Sequence, residues 1–117
     1  MSMLSAFASA SAYVSLAAAH AFLDHATPRA GSTVHRSPQQ LSLWFSEQLD
    51  PPFSNLEVLD GSGKRIDKGE PQVDSTDRKL LRVSLPPLAP GKYRVMWRVL
   101  SVDAHVSMGE FTFDIAP

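Results

Sequence analysis

A regular alternation of apolar and polar side chains near the C-terminus is the feature that most restricts the fold of this chain. Every second residue from 93 to 99 is apolar, and the same period recurs at 41–45, 81–85 and 111–115. Successive side chains of a β-strand point to opposite faces, so this period predicts strands with one buried face. About seven such strands, separated by Pro and Gly turns, predict an all-β chain folded as a Greek-key, immunoglobulin-like β-sandwich.

Two turn segments support this architecture. Residues 60–63 (Asp-Gly-Ser-Gly) have the composition of a turn between two strands. Residues 88–93 (Leu-Ala-Pro-Gly-Lys-Tyr) have the form of a tyrosine corner, in which the Tyr93 hydroxyl bonds to the chain upstream. The alternative is an ordinary Pro-Gly turn followed by a core tyrosine, and both forms fit a Greek-key sandwich.

The first 19 residues differ in composition from the rest of the chain. They carry no charged side chain, are rich in Ala and Ser, and end in small residues at the two positions that a signal peptidase requires, Ala17 and Ala19. We therefore expect a signal peptide over residues 1–19, cleaved after Ala19, although the usual basic n-region is missing. The same small residues are also compatible with cleavage after Ala21. The alternative to a signal peptide is that residues 1–19 form an apolar strand or helix of the domain itself. Cleavage after Ala19 leaves one domain, residues 20–117, that begins with His20.

Charge and cysteine content limit the partners and the sources of stability. Eleven basic and twelve acidic side chains give a net charge of −1. No basic stripe or basic amphipathic helix is present, so neither nucleic acid nor a membrane surface is an expected partner of the mature chain. The chain has no cysteine, so its stability must come from packing, alone or together with a bound metal.

Two of the four histidines are candidate metal ligands. After cleavage, His20 would offer its α-amine and its Nδ1 atom to one ion, and an amine with an ordinary pKa of about 7.7–8 can lose its proton to a metal near neutrality. Asp103 and His105 would add a carboxylate oxygen and an imidazole nitrogen from one side of a strand or loop. Three nitrogens and one oxygen are the tetragonal donor set that Cu(II) prefers. His35, in a polar loop, is expected to stay solvated, and His25 is expected to face away from His20.

A hydrolase is a poor interpretation of Ser101, Asp103 and His105. Residues two apart on a strand lie about 6.6 Å from each other, whereas the members of a triad must be in hydrogen-bond contact. The G-x-S-x-G nucleophile turn is also missing.

An oxidative copper enzyme is another possible interpretation of the candidate metal ligands. In such an enzyme, however, Asp103 would fill a coordination position that oxygen activation needs open. We expect no enzymatic activity.

The chain resembles the CopC-type periplasmic copper-binding family over essentially its whole mature length. The most specific part of this resemblance is the C-terminal block W-R-V-x-S-x-D-x-H at residues 97–105. Further matching segments occur at residues 20–23, 27–32, 43–47, 90–95 and 109–113.

This resemblance implies a Greek-key β-sandwich in the bacterial periplasm with a Cu(II) site formed by His20, Asp103 and His105. It also puts Glu47 near the site, either as a carboxylate that orients a ligating histidine or as a solvated strand end. Some family members bind Cu(I) through a Met-rich stretch. This mature chain has only Met96 and Met108, so we do not expect a separate Cu(I) site, and for Met108 a core or surface position is favoured over an axial contact with copper.

Two functions remain open from the sequence. The first is a periplasmic Cu(II) carrier or buffer that sequesters copper or passes it to a partner such as an inner-membrane copper transporter. The second is a metal-free immunoglobulin-like adhesion or interaction module, which needs only the strand pattern and treats both histidines as solvated.

Overall fold

The computed structural model describes residues 22–117, which form two four-stranded sheets packed face to face. The strands are β1 (Leu23–Thr27), β2 (Thr33–Val34), β3 (Gln40–Phe45), β4 (Asn55–Leu59), β5 (Gln72–Val73), β6 (Leu80–Ser84), β7 (Gly91–Leu100) and β8 (Val106–Ile115). A 3-10 turn at Pro51–Phe53 is the single helical segment within the described range, and no helix there is long and apolar enough to cross a membrane.

The order of the strands is that of a β-sandwich. One sheet has the order β1-β3-β6-β5 and the other β2-β8-β7-β4, so the chain repeatedly crosses between the sheets, as Greek-key sandwiches do. The predicted fold class is confirmed. The strands number eight instead of about seven, because β2 and β5 contain only two residues each and were too short to show a period.

The predicted apolar faces form the core between the sheets. Alternate residues of β3, β6 and β7 are buried, and Leu41, Leu81 and Val95 have no exposed surface. The inward positions of β7 continue from Tyr93 through Val99 to Ser101, which lies just beyond the strand and is also buried. The core therefore reaches the end of the sandwich at which β7 turns into β8.

Both predicted turns are present. The Tyr93 hydroxyl donates a hydrogen bond of 2.6 Å to the carbonyl of Ala89, which confirms the tyrosine corner. The Asp60 carboxylate accepts hydrogen bonds from the backbone N–H groups of Ser62 and Lys64, as expected of a turn. The segment that follows returns only as an isolated bridge between Leu59 and Arg65, not as a second strand.

Asp67 explains why this return segment stays short. Its side chain is fully buried and accepts hydrogen bonds from the backbone N–H of Val58 and from Arg65. Burial alone would raise the pKa of Asp67, but these hydrogen bonds and one from Gly69 outweigh burial and hold the pKa below its ordinary value. The Asp67 side chain thus binds the backbone N–H of Val58 in β4, a donor that a longer paired strand would use.

Candidate metal centre

The tight connection between β7 and β8 carries two of the predicted ligands. β7 ends at Leu100 and β8 begins at Val106, and residues 101–105 form the loop between them. The backbone N–H of Ser101 donates to the carbonyl of His105 at 2.9 Å, and that of Ala104 donates to the carbonyl of Ser101 at 2.9 Å. Ala104 has a φ of 69°, in the left-handed region that residues other than glycine rarely adopt. This turn places Asp103 and His105 on either side of a sharp bend.

The segment after β3 brings Glu47 against this loop. Leu49 forms a bridge with Ser101, and the backbone N–H of Val102 donates to the carbonyl of Gln48 at 3.0 Å. These contacts join the ends of the two sheets. As a result, a residue 56 positions before Asp103 in the sequence lies beside it in the structure.

Glu47, Asp103 and His105 form one cluster. Each offers a carboxylate oxygen or an imidazole nitrogen, and these atoms lie within 4.8 Å of one another. Asp103 and His105 are exposed, whereas Glu47 is half-buried. The Oε1 atom of Glu47 is buried without a hydrogen-bond partner among residues 22–117. A buried, unsatisfied carboxylate oxygen is costly unless a proton, a donor or a cation supplies its missing interaction.

The electrostatics of the cluster favour a bound cation. The nearby Asp103 carboxylate, to which a protonated Glu47 can donate, raises the pKa of Glu47 above its ordinary value, and burial adds to this effect. His105 and the Ser101 hydroxyl act in the opposite direction. When two carboxyl groups lie this near to each other, ionisation of both is unfavourable. A positive ion between them would relieve the repulsion.

The first residues described by the structure lie at the same end of the sandwich. The Phe22 ring packs against Phe45 with ring centroids 5.4 Å apart, and the backbone N–H of Ser46 donates to the Phe22 carbonyl at 2.9 Å. Phe22 is therefore next to the segment that carries Glu47. His20, the first predicted ligand, lies outside the described residues, as do the predicted signal peptide and its cleavage point.

The other two histidines lie elsewhere. His25 in β1 stacks on Trp44 with ring centroids 4.5 Å apart, and its Nδ1 atom lies 2.6 Å from Asp24. His35 is exposed in the loop after β2. Neither belongs to the cluster of Glu47, Asp103 and His105.

The two methionines of the domain lie on neighbouring strands of one sheet. Met108 of β8 is 59% exposed, and Met96 of β7 is half-buried. Both line a groove of about 500 Å³ that also includes Glu57 and Glu110.

Ser101 is a site residue whose role the sequence argument missed. It was considered there only as a nucleophile, yet its Oγ atom accepts a hydrogen bond of 3.1 Å from the backbone N–H of His105. A serine in the apolar phase of a strongly alternating strand was the signal that could have identified it as a buried hydrogen-bonding residue.

Comparison with known proteins agrees with the fold and with the family resemblance of the sequence. Residues 23–116 match the model of the CopC domain family. Protein YobA of Escherichia coli strain K12 is 37% identical over 98 residues, which cover 83% of this chain and 79% of YobA. Copper resistance protein C of Escherichia coli is 30% identical over 106 residues, which cover 85% of this chain and 83% of that protein.

A solved structure leads to the same family. The crystal structure of CopC from Methylosinus trichosporium OB3b superimposes with a TM-score of 0.72 and 34% sequence identity, over 82% of this chain and 93% of that one. The family model and these relatives each span most of the residues described here. The chain therefore belongs to the CopC domain family.

Proposed function

We propose that this protein is a periplasmic copper-binding protein that holds one Cu(II) ion as cargo, for sequestration or for transfer. The observation that carries this proposal is the cluster of Glu47, Asp103 and His105, whose potential ligand atoms lie within 4.8 Å of one another. The similarity of the chain to copper resistance protein C of Escherichia coli supports copper as the ion.

In this proposal Asp103 and His105 bind the ion directly. An imidazole nitrogen and a carboxylate oxygen suit Cu(II), and the ion would relieve the repulsion between Asp103 and Glu47. Glu47 is the less exposed carboxylate. We assign it the role of a neighbouring carboxylate that orients the ligands and compensates the charge of the ion.

His20 would complete the site through its amine and imidazole nitrogens after cleavage behind Ala19. The position of Phe22 supports this assignment, because its carbonyl accepts a hydrogen bond from Ser46, next to Glu47. Two residues of extended chain span about 7 Å, so His20 is close enough in the sequence to reach the cluster from that point.

The exposure of Asp103 and His105 supports a role in transfer rather than permanent storage. An ion held at the rim of the sandwich can be approached by the ligands of another protein without unfolding of the domain. We propose an inner-membrane copper transporter as the donor or acceptor. The protein itself would act as a carrier and not as an enzyme.

The first experiment is to express the chain with its leader, purify the exported protein and measure its intact mass and N-terminal residue. Titration with Cu(II), followed by electron paramagnetic resonance (EPR) and by the melting temperature, then gives the stoichiometry and affinity. We expect a chain that begins at His20, binds one Cu(II) ion and melts at a higher temperature when loaded, because a ligand that binds only the folded state stabilises it.

Variants identify the ligands. Asp103→Asn and His105→Ala should each weaken Cu(II) binding by at least about tenfold, since each removes a donor or its charge. His35→Ala, which removes an exposed histidine outside the cluster, is the matched control and should bind as the wild type does. Unchanged affinity in both cluster variants would reject the proposed site, and failure of the processed wild-type protein to bind Cu(II) would favour the metal-free interaction module.

A further inference from the structure

Ser101 is a buried polar residue at a position where the strand pattern calls for an apolar one. It follows Tyr93, Val95, Trp97 and Val99 in the inward phase of β7 and is 1% exposed. Burial of a hydroxyl costs free energy unless the group is hydrogen-bonded. The bonds that Ser101 makes therefore indicate what this residue contributes.

Three hydrogen bonds connect Ser101 to the loop that follows it. Its backbone N–H donates to the His105 carbonyl, its carbonyl accepts from the Ala104 N–H, and its Oγ atom accepts from the His105 N–H at 3.1 Å. The backbone bonds close the turn, and any residue at this position could make them. The bond to Oγ depends on the serine side chain and fixes the backbone of His105.

Ser101 also lies against the segment that carries Glu47. It forms a bridge with Leu49, two residues after Glu47, and the next residue of the loop, Val102, donates its backbone N–H to the carbonyl of Gln48. The Ser101 side chain also lowers the pKa of Glu47, in opposition to Asp103. Ser101 thus lies between the backbone of His105 in the β7–β8 loop and the segment after β3 that carries Glu47.

The loop needs such a restraint because little else holds its side chains. Asp103 and His105 are exposed, so core packing does not position them. Ala104, between them, has a left-handed backbone that is unfavourable for a residue with a Cβ atom. The relative placement of the two side chains therefore depends on the hydrogen bonds that hold the backbone of the loop.

We propose that Ser101 is a positioning residue, whose hydroxyl holds the backbone of His105, beside Glu47, in a metal-ready arrangement before any ion is bound. This inference rests on the proposed copper-binding function and adds to it a residue that does not itself touch the ion. A ligand set that is arranged in advance binds more tightly, because less ordering is required when the ion arrives.

The test compares Ser101→Ala with Ser54→Ala in the exported, processed protein. Ser54 is a matched control because it is also buried and its Oγ atom is also hydrogen-bonded to the backbone, at the Asp50 carbonyl and the Leu100 N–H, but it is not part of the 101–105 loop. The readouts are Cu(II) affinity, the EPR spectrum of the loaded protein, and hydrogen exchange of the His105 amide in the metal-free protein.

We expect Ser101→Ala to lower Cu(II) affinity by about tenfold, the low end of what the loss of a residue behind a metal ligand costs. We also expect it to broaden the Cu(II) EPR signal and to speed exchange of the His105 amide. Ser54→Ala should lower the melting temperature and leave the other three measurements unchanged. A merely structural role for Ser101 would give the Ser54→Ala pattern in both variants.

Two outcomes would overturn the inference while leaving the proposed function intact. One is wild-type Cu(II) affinity and EPR spectrum in a folded Ser101→Ala protein. The other is unprotected exchange of the His105 amide in the metal-free wild-type protein, a measurement that holds even if Ser101→Ala does not fold. Absence of Cu(II) binding by the wild-type protein would instead reject the proposed function, and with it the role of Ser101.

Discussion

A carboxylate oxygen of Glu47 lies within 4.8 Å of one of Asp103, although one residue follows β3 and the other lies in the loop between β7 and β8. This proximity raises the pKa of Glu47, so the pair retains a proton more readily than two separate carboxyl groups would. The pair therefore connects the protonation of the site with the packing of the two sheets, and a metal ion that binds between them competes with that proton.

Glu47→Gln should change how the stability of the metal-free protein depends on pH. The folded protein retains the Glu47 proton above the ordinary pKa of 4.5, because Asp103 and burial raise this pKa. The contribution of Glu47 to stability is therefore most favourable below about pH 4.5 and is lost as the pH rises through the folded pKa. Urea unfolding of both proteins at a series of pH values should show wild type losing stability relative to Glu47→Gln as the pH rises. A difference that does not vary with pH would contradict the raised pKa.

Ala104→Gly should leave the protein as stable as the wild type or make it more stable by up to about 1 kcal/mol. Glycine removes the cost of a left-handed alanine, about 1–2 kcal/mol, but loses part of that gain through the greater entropy of the unfolded chain. Ala30→Gly is the control, since Ala30 is an exposed turn residue without a positive φ, and it should be destabilising. Urea unfolding measures both. A loss of stability in Ala104→Gly equal to that of Ala30→Gly would show that residue 104 is not held in the left-handed region.

Gly109→Ala should destabilise the core by about 1–3 kcal/mol, the usual cost of overpacking. An added Cβ would overlap Cζ2 of Trp97, on the six-membered ring of an indole that also packs against Phe45 and Phe111. Thermal unfolding and tryptophan fluorescence would report the strain and any displacement of the ring. Gly61→Ala, where the nearest contact of an added Cβ is 3.9 Å away, should be close to neutral. Equal effects of the two substitutions would contradict the close packing of Trp97 on Gly109.

Tyr93→Phe should lower the free energy of unfolding by about 0.5–1.5 kcal/mol, the net value of one hydrogen bond. The variant loses the bond to the Ala89 carbonyl but retains the ring, which stacks on Phe113 at 5.7 Å. Copper binding should be unaffected, because Tyr93 is near the start of β7 and the cluster lies beyond its end. Urea unfolding and a Cu(II) titration test the two parts, and a change in copper affinity would contradict the separation of corner and site.

The sequence by itself determined the elements whose cause is local. The alternation from Tyr93 to Val99 predicted a strand with one buried face, because the two-residue period is a property of the extended backbone. The Pro-Gly segment before Tyr93 likewise predicted a corner that the hydrogen bond to Ala89 confirms. The spacing of Asp103 and His105 made them a candidate pair for the same reason, since two residues in one short loop are close in any fold. The two-residue strands β2 and β5 were missed because they are too short to carry a period.

Only the tertiary structure decided which distant groups meet these local elements. It brings Glu47 against Asp103, a relationship that depends on the bridge between Leu49 and Ser101 and on the packing of two sheets, neither of which leaves a periodic signal in the chain. It also shows that the Ser101 hydroxyl bonds to the His105 backbone and that Ala104 has a left-handed conformation. These features follow from contacts between segments far apart in the sequence and from the closure of one tight turn. Local residue preferences define strands and turns, but it is the hydrogen bonds and burial of the assembled sandwich that select which side chains share a site.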